Sequence, residues 1–323
     1  FSWHTDLMYL PESRYGFSAE RARNRRRVIL IVLVAAALCV GGGLTAYFVL
    51  SSPGQRIVED TSGPVSVYDL WEDQEYGKVV EWSTRVLSEE PMNAEALMFH
   101  GFARFYQALG EFSLEDRLGF IDESIISLRK ARIPGNQPFP AKIEYVLGKA
   151  YYHKGRYYMD QAAHFLESSL ENGVEADDIY EYLGLTYGQL EKYAKSAEYF
   201  EIAVERNSSD LLYLTLSQTY YKLSRIPKAE EYLIRTINRT EDVSIEEKSR
   251  FLLGQIYIDK EDYLKAENQY KMILEKDPRS ANAHFQLGEI YAELGDSIRA
   301  RSEWRKALQI DPSHYGARLR YYN

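Results

Sequence analysis

A 34-residue period near the C-terminal end constrains this chain more than any other feature. Two segments, FLLGQIYIDKEDYLKAENQYKMILEKDP from Phe251 and FQLGEIYAELGDSIRARSEWRKALQIDP from Phe285, align without a gap. Gly254 and Gly288, Tyr257 and Tyr291, Ala266 and Ala300, and Pro278 and Pro312 are each 34 residues apart. The pattern inside each segment is helical, and Asp277-Pro278 and Asp311-Pro312 end a helix because proline lacks a donor and clashes with the preceding turn. The two glycines leave room for a second helix of the same unit, and the two alanines let that helix approach. A single helix pair cannot bury its apolar face, whereas stacked pairs can. The period therefore predicts an array.

The same frame runs backward. Leu216, Tyr220 and Ala229 mark one unit, with Ser217 at the glycine position. Leu183, Gly184, Tyr187, Phe200 and Ala203 mark another, with Ser196 at the small position. Leu147, Gly148, Tyr151 and Ala162 mark a third, with two extra residues in its internal turn. Gly101 with Ala131 gives a long unit padded around Phe112 to Phe120, and Tyr68 to Pro91 a degenerate first pair. These residues resemble the tetratricopeptide repeat (TPR): Leu-Gly-x-x-Tyr on helix A, a small residue then an aromatic on helix B, and proline at the exit. The resemblance covers 141–314 strongly, as a TPR array, and 65–133 weakly, as degenerate TPR-like pairs. It implies an all-α fold, an α-solenoid of about seven TPR-like helix pairs in a right-handed superhelix, with 315–323 starting a C-terminal capping helix. Tyr and Phe, and Trp304 with them, are expected to fill the seams between pairs.

Charge divides the chain. Residues 1–50 hold six Arg and three acids, and the remainder holds 33 basic and 45 acidic residues. A basic head on an acidic body suggests a membrane between them. Val28 to Leu50 supplies 23 uncharged residues, about 34 Å of helix, enough for a hydrocarbon core of about 30 Å. Arg21, Arg23, Arg25, Arg26 and Arg27 precede it and only Arg56 follows within twenty residues, which predicts a cytoplasmic N-terminus. A cleaved signal peptide would have a shorter apolar region. The expected order is a cytoplasmic tail over 1–27, a transmembrane helix over 28–50, a polar linker over 51–64, and repeats outside the cytoplasm.

Several chemistries lack residues to carry them. The single Cys39 precludes an intrachain disulfide or a Cys-based zinc cluster. The net charge of −9 opposes nucleic-acid binding. No H-E-x-x-H, G-x-S-x-G or phosphate-loop motif occurs. No catalytic, cofactor-binding or metal residue is assigned, and an enzyme is not expected.

The family resemblance places a ligand on the inner face lined by helix A, especially at repeat positions 2, 5, 9 and 12. The candidate protein-binding groove there comprises Tyr145, Lys149, Tyr152, Leu214, Gln218, Tyr221, Phe251, Gln255, Ile258, Phe285 and Glu289. The positions that grip a C-terminal carboxylate in one subtype carry a different set here. A mainly apolar, aromatic strip suits an extended peptide or an amphipathic helix. The implied function is a membrane-anchored scaffold, in the inner membrane with its repeats in the periplasm. It would assemble or stabilise a bacterial envelope complex such as a flagellar-motor-associated structure. A eukaryotic organelle-membrane receptor for client peptides is the alternative. The expected partners are other proteins and one lipid bilayer, with no cofactor and an oligomer or larger complex as a further expectation.

Overall fold

Short polar residues decide where many of the helices begin. Ser66, Asn93, Ser113, Ser209, Asp242, Asp262, Ser280 and Asp296 each accept a backbone N–H of the first turn, a contribution of about 1 kcal/mol per cap. The structure, a computed structural model, describes residues 66–133 and 138–322. Every regular element among them is helical. The chain divides into two compact units, Phe1–Pro138 and Phe139–Asn323.

In the first unit, α1 (Val67–Glu72), α2 (Tyr76–Glu89), α3 (Ala94–Gly110) and α4 (Leu114–Ala131) pack in sequence order. The long unit expected around Phe112 to Phe120 has no padded turn. Its extra length lies in the helices, which run 17 and 18 residues on either side of Glu111–Ser113. Gly101 lies against Leu128, where a Cβ would come within 2.4 Å of the side chain.

The second unit has five helix pairs: α5 (Pro140–Lys154) with α6 (Met159–Glu171), α7 (Ile179–Gln189) with α8 (Tyr193–Arg206), α9 (Asp210–Lys222) with α10 (Ile226–Arg239), α11 (Val243–Asp259) with α12 (Tyr263–Lys276), and α13 (Ala281–Glu293) with α14 (Ser297–Ile310). An unpaired α15 (Tyr315–Tyr322) follows. The extra residues between α5 and α6 form a 3-10 turn, Arg156–Tyr158. The later A-to-B turns close on a left-handed residue, Glu191, Ser224, Glu261 or Gly295.

The glycines act as the period requires. A Cβ on Gly148, Gly184, Gly254 or Gly288 would meet Leu166, Phe200, Tyr270 or Trp304 at 2.5, 2.6, 2.7 and 2.4 Å. Phe200, Tyr270 and Trp304 thus close the inside of their own pairs, not the seams between pairs as expected, because a helix-B aromatic seats on the glycine of its partner helix. The seams hold the helix-A tyrosines. Each of Tyr187, Tyr220, Tyr257 and Tyr291 donates its hydroxyl proton to a carboxylate on the preceding B helix: Glu167, Glu201, Glu230 and Glu267. A cation eight residues further on lies over each ring, Lys195, Lys228, Lys265 and Arg299, at 4.5, 4.8, 5.3 and 4.3 Å from the centroid.

The tail 1–27, the expected span Val28–Leu50 and the linker 51–64 lie outside the described residues. Among those described, no helix is long and apolar enough to cross a membrane.

Candidate protein-binding strip

The candidate residues lie on the A helices α5, α9, α11 and α13, where the repeat frame puts them, and none lies on α7. They divide into three groups by what they touch.

At α5 and α7 the strip binds itself. Tyr145 donates its hydroxyl proton to the Asp178 carboxylate. Lys149, only 6% exposed, donates to Asp178 Oδ2 at 2.8 Å and to the Tyr145 hydroxyl at 3.1 Å. Its ammonium also stands 4.6 Å from the Tyr182 ring centroid. Tyr152 meets Tyr182 edge-on at 5.3 Å, and His153 Nε2 lies 2.9 Å from the Tyr182 hydroxyl. Burial, followed by the neighbouring Asp178 charge, pushes the Glu181 carboxyl up to about 7, with Lys149 opposing both. An ammonium held by a carboxylate and two rings is a buried structural group, and removing one partner would leave the other uncompensated.

At the far end the strip is covered. Phe285 is 7% exposed, with its ring 4.9 Å from His314, and Glu289 accepts Arg320 Nη2 at 2.8 Å. Leu214, in the middle, is fully buried. These side chains are not the exposed anchors that position alone suggested. Position 5 points inward enough at Leu214 and Phe285 for neighbouring helices to enclose it.

The third group, on the adjoining α9 and α11, is half-buried: Gln218, Tyr221, Phe251, Gln255 and Ile258. Tyr221 donates to Asp259 Oδ2 at 2.8 Å and Gln255 Nε2 donates to Oδ1 of the same carboxylate at 2.9 Å. Phe251 leans on Tyr270, centroid to centroid 5.7 Å, and Ile258 packs against the core. This arrangement offers two apolar side chains, a fixed phenol and amides on a rigid base. Asp178, Tyr182, Asp259 and Arg320 were missed by sequence reasoning. Their partners lie 29 to 38 residues away, too variable a separation to mark a contact in a single sequence.

Residues 178–210 and 251–315 match family models described as tetratricopeptide repeat. No curated protein matches the chain in sequence. Among solved structures, the C-terminal part of a TPR repeat-containing protein from Cytophaga hutchinsonii is 14% identical, with 79% of this chain and 97% of that one covered at a TM-score of 0.60. The protein MamA is 20% identical over 51% of this chain and 95% of its own, at 0.47. At 14% identity the first of these likenesses concerns the fold alone. With glycine-seated helix pairs recurring in the second unit, and family models matching two stretches of it, this chain carries tetratricopeptide repeats at 178–210 and 251–315, a protein-interaction scaffold fold.

Proposed function

We propose that the chain is a membrane-anchored scaffold whose α9–α11 patch holds a segment of a partner protein. The observation that carries the binding reading is the half-buried group of Tyr221, Phe251, Gln255 and Ile258, which offers apolar area and hydrogen-bonding groups together. Such surfaces bind extended or helical segments through a few central anchors. The wider candidate set, Tyr145 to Glu289, contributes support around the patch. Anchoring rests on the uncharged Val28–Leu50 stretch behind its Arg cluster, which favours an N-terminus in the cytoplasm and repeats in the periplasm. A bacterial envelope assembly, with a layout like that of flagellar-motor-associated repeat proteins, is the setting this arrangement suits.

A photoreactive phenylalanine analogue placed at Ile258 or Tyr221 of the full chain in native membranes tests the patch. Both positions should give the same protein adduct, and the exposed Leu264 on α12 should give none. Equal labelling at all three, or none at the patch, overturns the reading. Protease added to spheroplasts should digest the repeats and spare the tail; protected repeats reverse the orientation.

A further inference from the structure

The last helix exposes one apolar stripe. Along α15, Tyr315, Arg318, Leu319 and Tyr322 follow the i, i+3, i+4, i+7 spacing of a single helical face, and all four are exposed, Tyr315 at 73% and Tyr322 at 75%. The opposite face is seated: Gly316 and Ala317 are buried and Tyr321 packs on the core. Exposed aromatics contiguous with a leucine on one face mark an interaction surface more than a solvated one.

Charge indicates what covers it. Residues 299–322 hold six basic and two acidic residues. Of these, Arg299, Lys306 and Arg320 are engaged with Asp296, Glu303 and Glu289, while Arg301, Arg305 and Arg318 are exposed. Residues 66–92, which hold α1 and α2, show the reverse, with seven acidic and two basic residues. Glu72, Asp73, Glu81 and Glu89 are exposed there, and Tyr68 at 44% and Met92 at 46% supply apolar area beside them.

We propose that the α15 face docks on the α1–α2 face of a second copy of this chain. The contact joins two different surfaces, so it is heterologous and propagates from copy to copy. Opposite charge steers the two faces together and disfavours α15 against α15, where Arg318 would meet its own kind. The proposal is independent of the α9–α11 patch, none of whose residues it uses.

The test uses the full chain in detergent, followed by sedimentation velocity over a concentration series. The wild type should form species that grow with concentration and shrink in high salt, where exposed charges are screened. Leu319→Asp alone, and Glu72→Lys with Glu81→Lys alone, should each weaken association at least tenfold, with Arg318→Glu as a milder second probe of the first surface. Mixing the two defective chains should give a complex that stops at two copies, since one intact α15 face and one intact α1–α2 face remain. A wild type that stays single in its micelle overturns the proposal. So does association untouched by every variant, which would place it in the apolar N-terminal segment. So does a Glu72→Lys/Glu81→Lys chain that still pairs as well as wild type, which would mean α15 meets α15.

Discussion

The α5–α6 pair and the pairs that follow it are joined in different ways, although four of the five are closed alike. Inside the pairs a small residue receives a large side chain: Gly148 under Leu166, Gly184 under Phe200, Gly254 under Tyr270, Gly288 under Trp304. The helix-A tyrosine is also common to all five. In the four later pairs it reaches back to a carboxylate and carries a cation over its ring. Tyr151 instead stacks within its own pair, on Phe165 at 5.6 Å and Tyr158 at 6.0 Å, and the residue eight further on is the buried Met159. Closing a helix pair and tying it to its neighbour are therefore separate tasks. Packing alone performs the first, and a polar triad is added for the second. The tied carboxylates respond to it. Burial alone would raise Glu167, but hydrogen bonds from Tyr187, Lys195 and Tyr199 outweigh it and hold the group below the ordinary carboxylate range.

What the pairs share should be the costliest to break. Gly288→Val drives a branched side chain into the Trp304 ring and should destabilise the fold by roughly 3 kcal/mol, the upper end of overpacking costs. Gly148→Val should cost a similar amount in the α5–α6 pair. Gly119→Ala, in α4 with nothing within 4 Å of the added carbon, should gain about 0.5–1 kcal/mol. Denaturant melts of the three variants check the contrast.

Next in size is a pH effect at the junction of α5 and α7. The Glu181 carboxyl is raised in the fold, so the folded state retains a proton that the unfolded chain releases near its ordinary value of 4.5. Stability from this group is present at low pH. It falls as pH climbs from about 4.5 to about 7, then levels off. Glu181→Gln should remove that slope and stabilise the protein above pH 7 by up to roughly 3 kcal/mol, since a tenfold change in proton affinity is worth about 1.4 kcal/mol. A variant with an unchanged pH profile would contradict the assignment.

The ties themselves give the sharpest comparison. Tyr257→Phe removes the hydroxyl that donates to Glu230 Oε1 at 2.9 Å and should cost about 1 kcal/mol. Tyr151→Phe should be near neutral, and equal costs would erase the distinction between the two regions. Smallest of all, Lys195→Met removes a half-exposed cation from over Tyr187 and should cost about 0.5 kcal/mol, less in high salt.

The pairing of helices was legible because each contact recurs at nearly fixed spacing. Gly254, Tyr257 and Ala266 have counterparts 34 residues on, and each seam tyrosine has its cation eight residues later. The carboxylates were not legible. Glu167, Glu201, Glu230 and Glu267 are separated by 34, 29 and 37 residues, since a long acid can reach the same hydroxyl from different turns of a helix. Positions in the binding strip were readable, but their exposure was not. Nothing at Phe285 announces that His314 will lie on it, and nothing at Lys149 announces Asp178. Side-chain burial depends on a neighbouring pair whose local sequence is free to vary.

The left-handed turn residues have a consequence for how such a gene can change length. Excising residues 262–295 would join Glu261 to Asp296, one left-handed turn spliced into its equivalent, and α11 would receive α14 as its new second helix. Gly254 would then lie opposite Trp304, as Gly288 does now, and the shortened protein should still fold. Excising residues 225–261 makes an equally smooth joint at Ser224, but it sets Ser217 opposite Tyr270, whose ring requires a bare backbone. Unequal recombination is thus permitted by the turns and vetoed by the helix faces. Copy number can drift in the stretch from α11 to α14, while α9 cannot take α12 as its second helix.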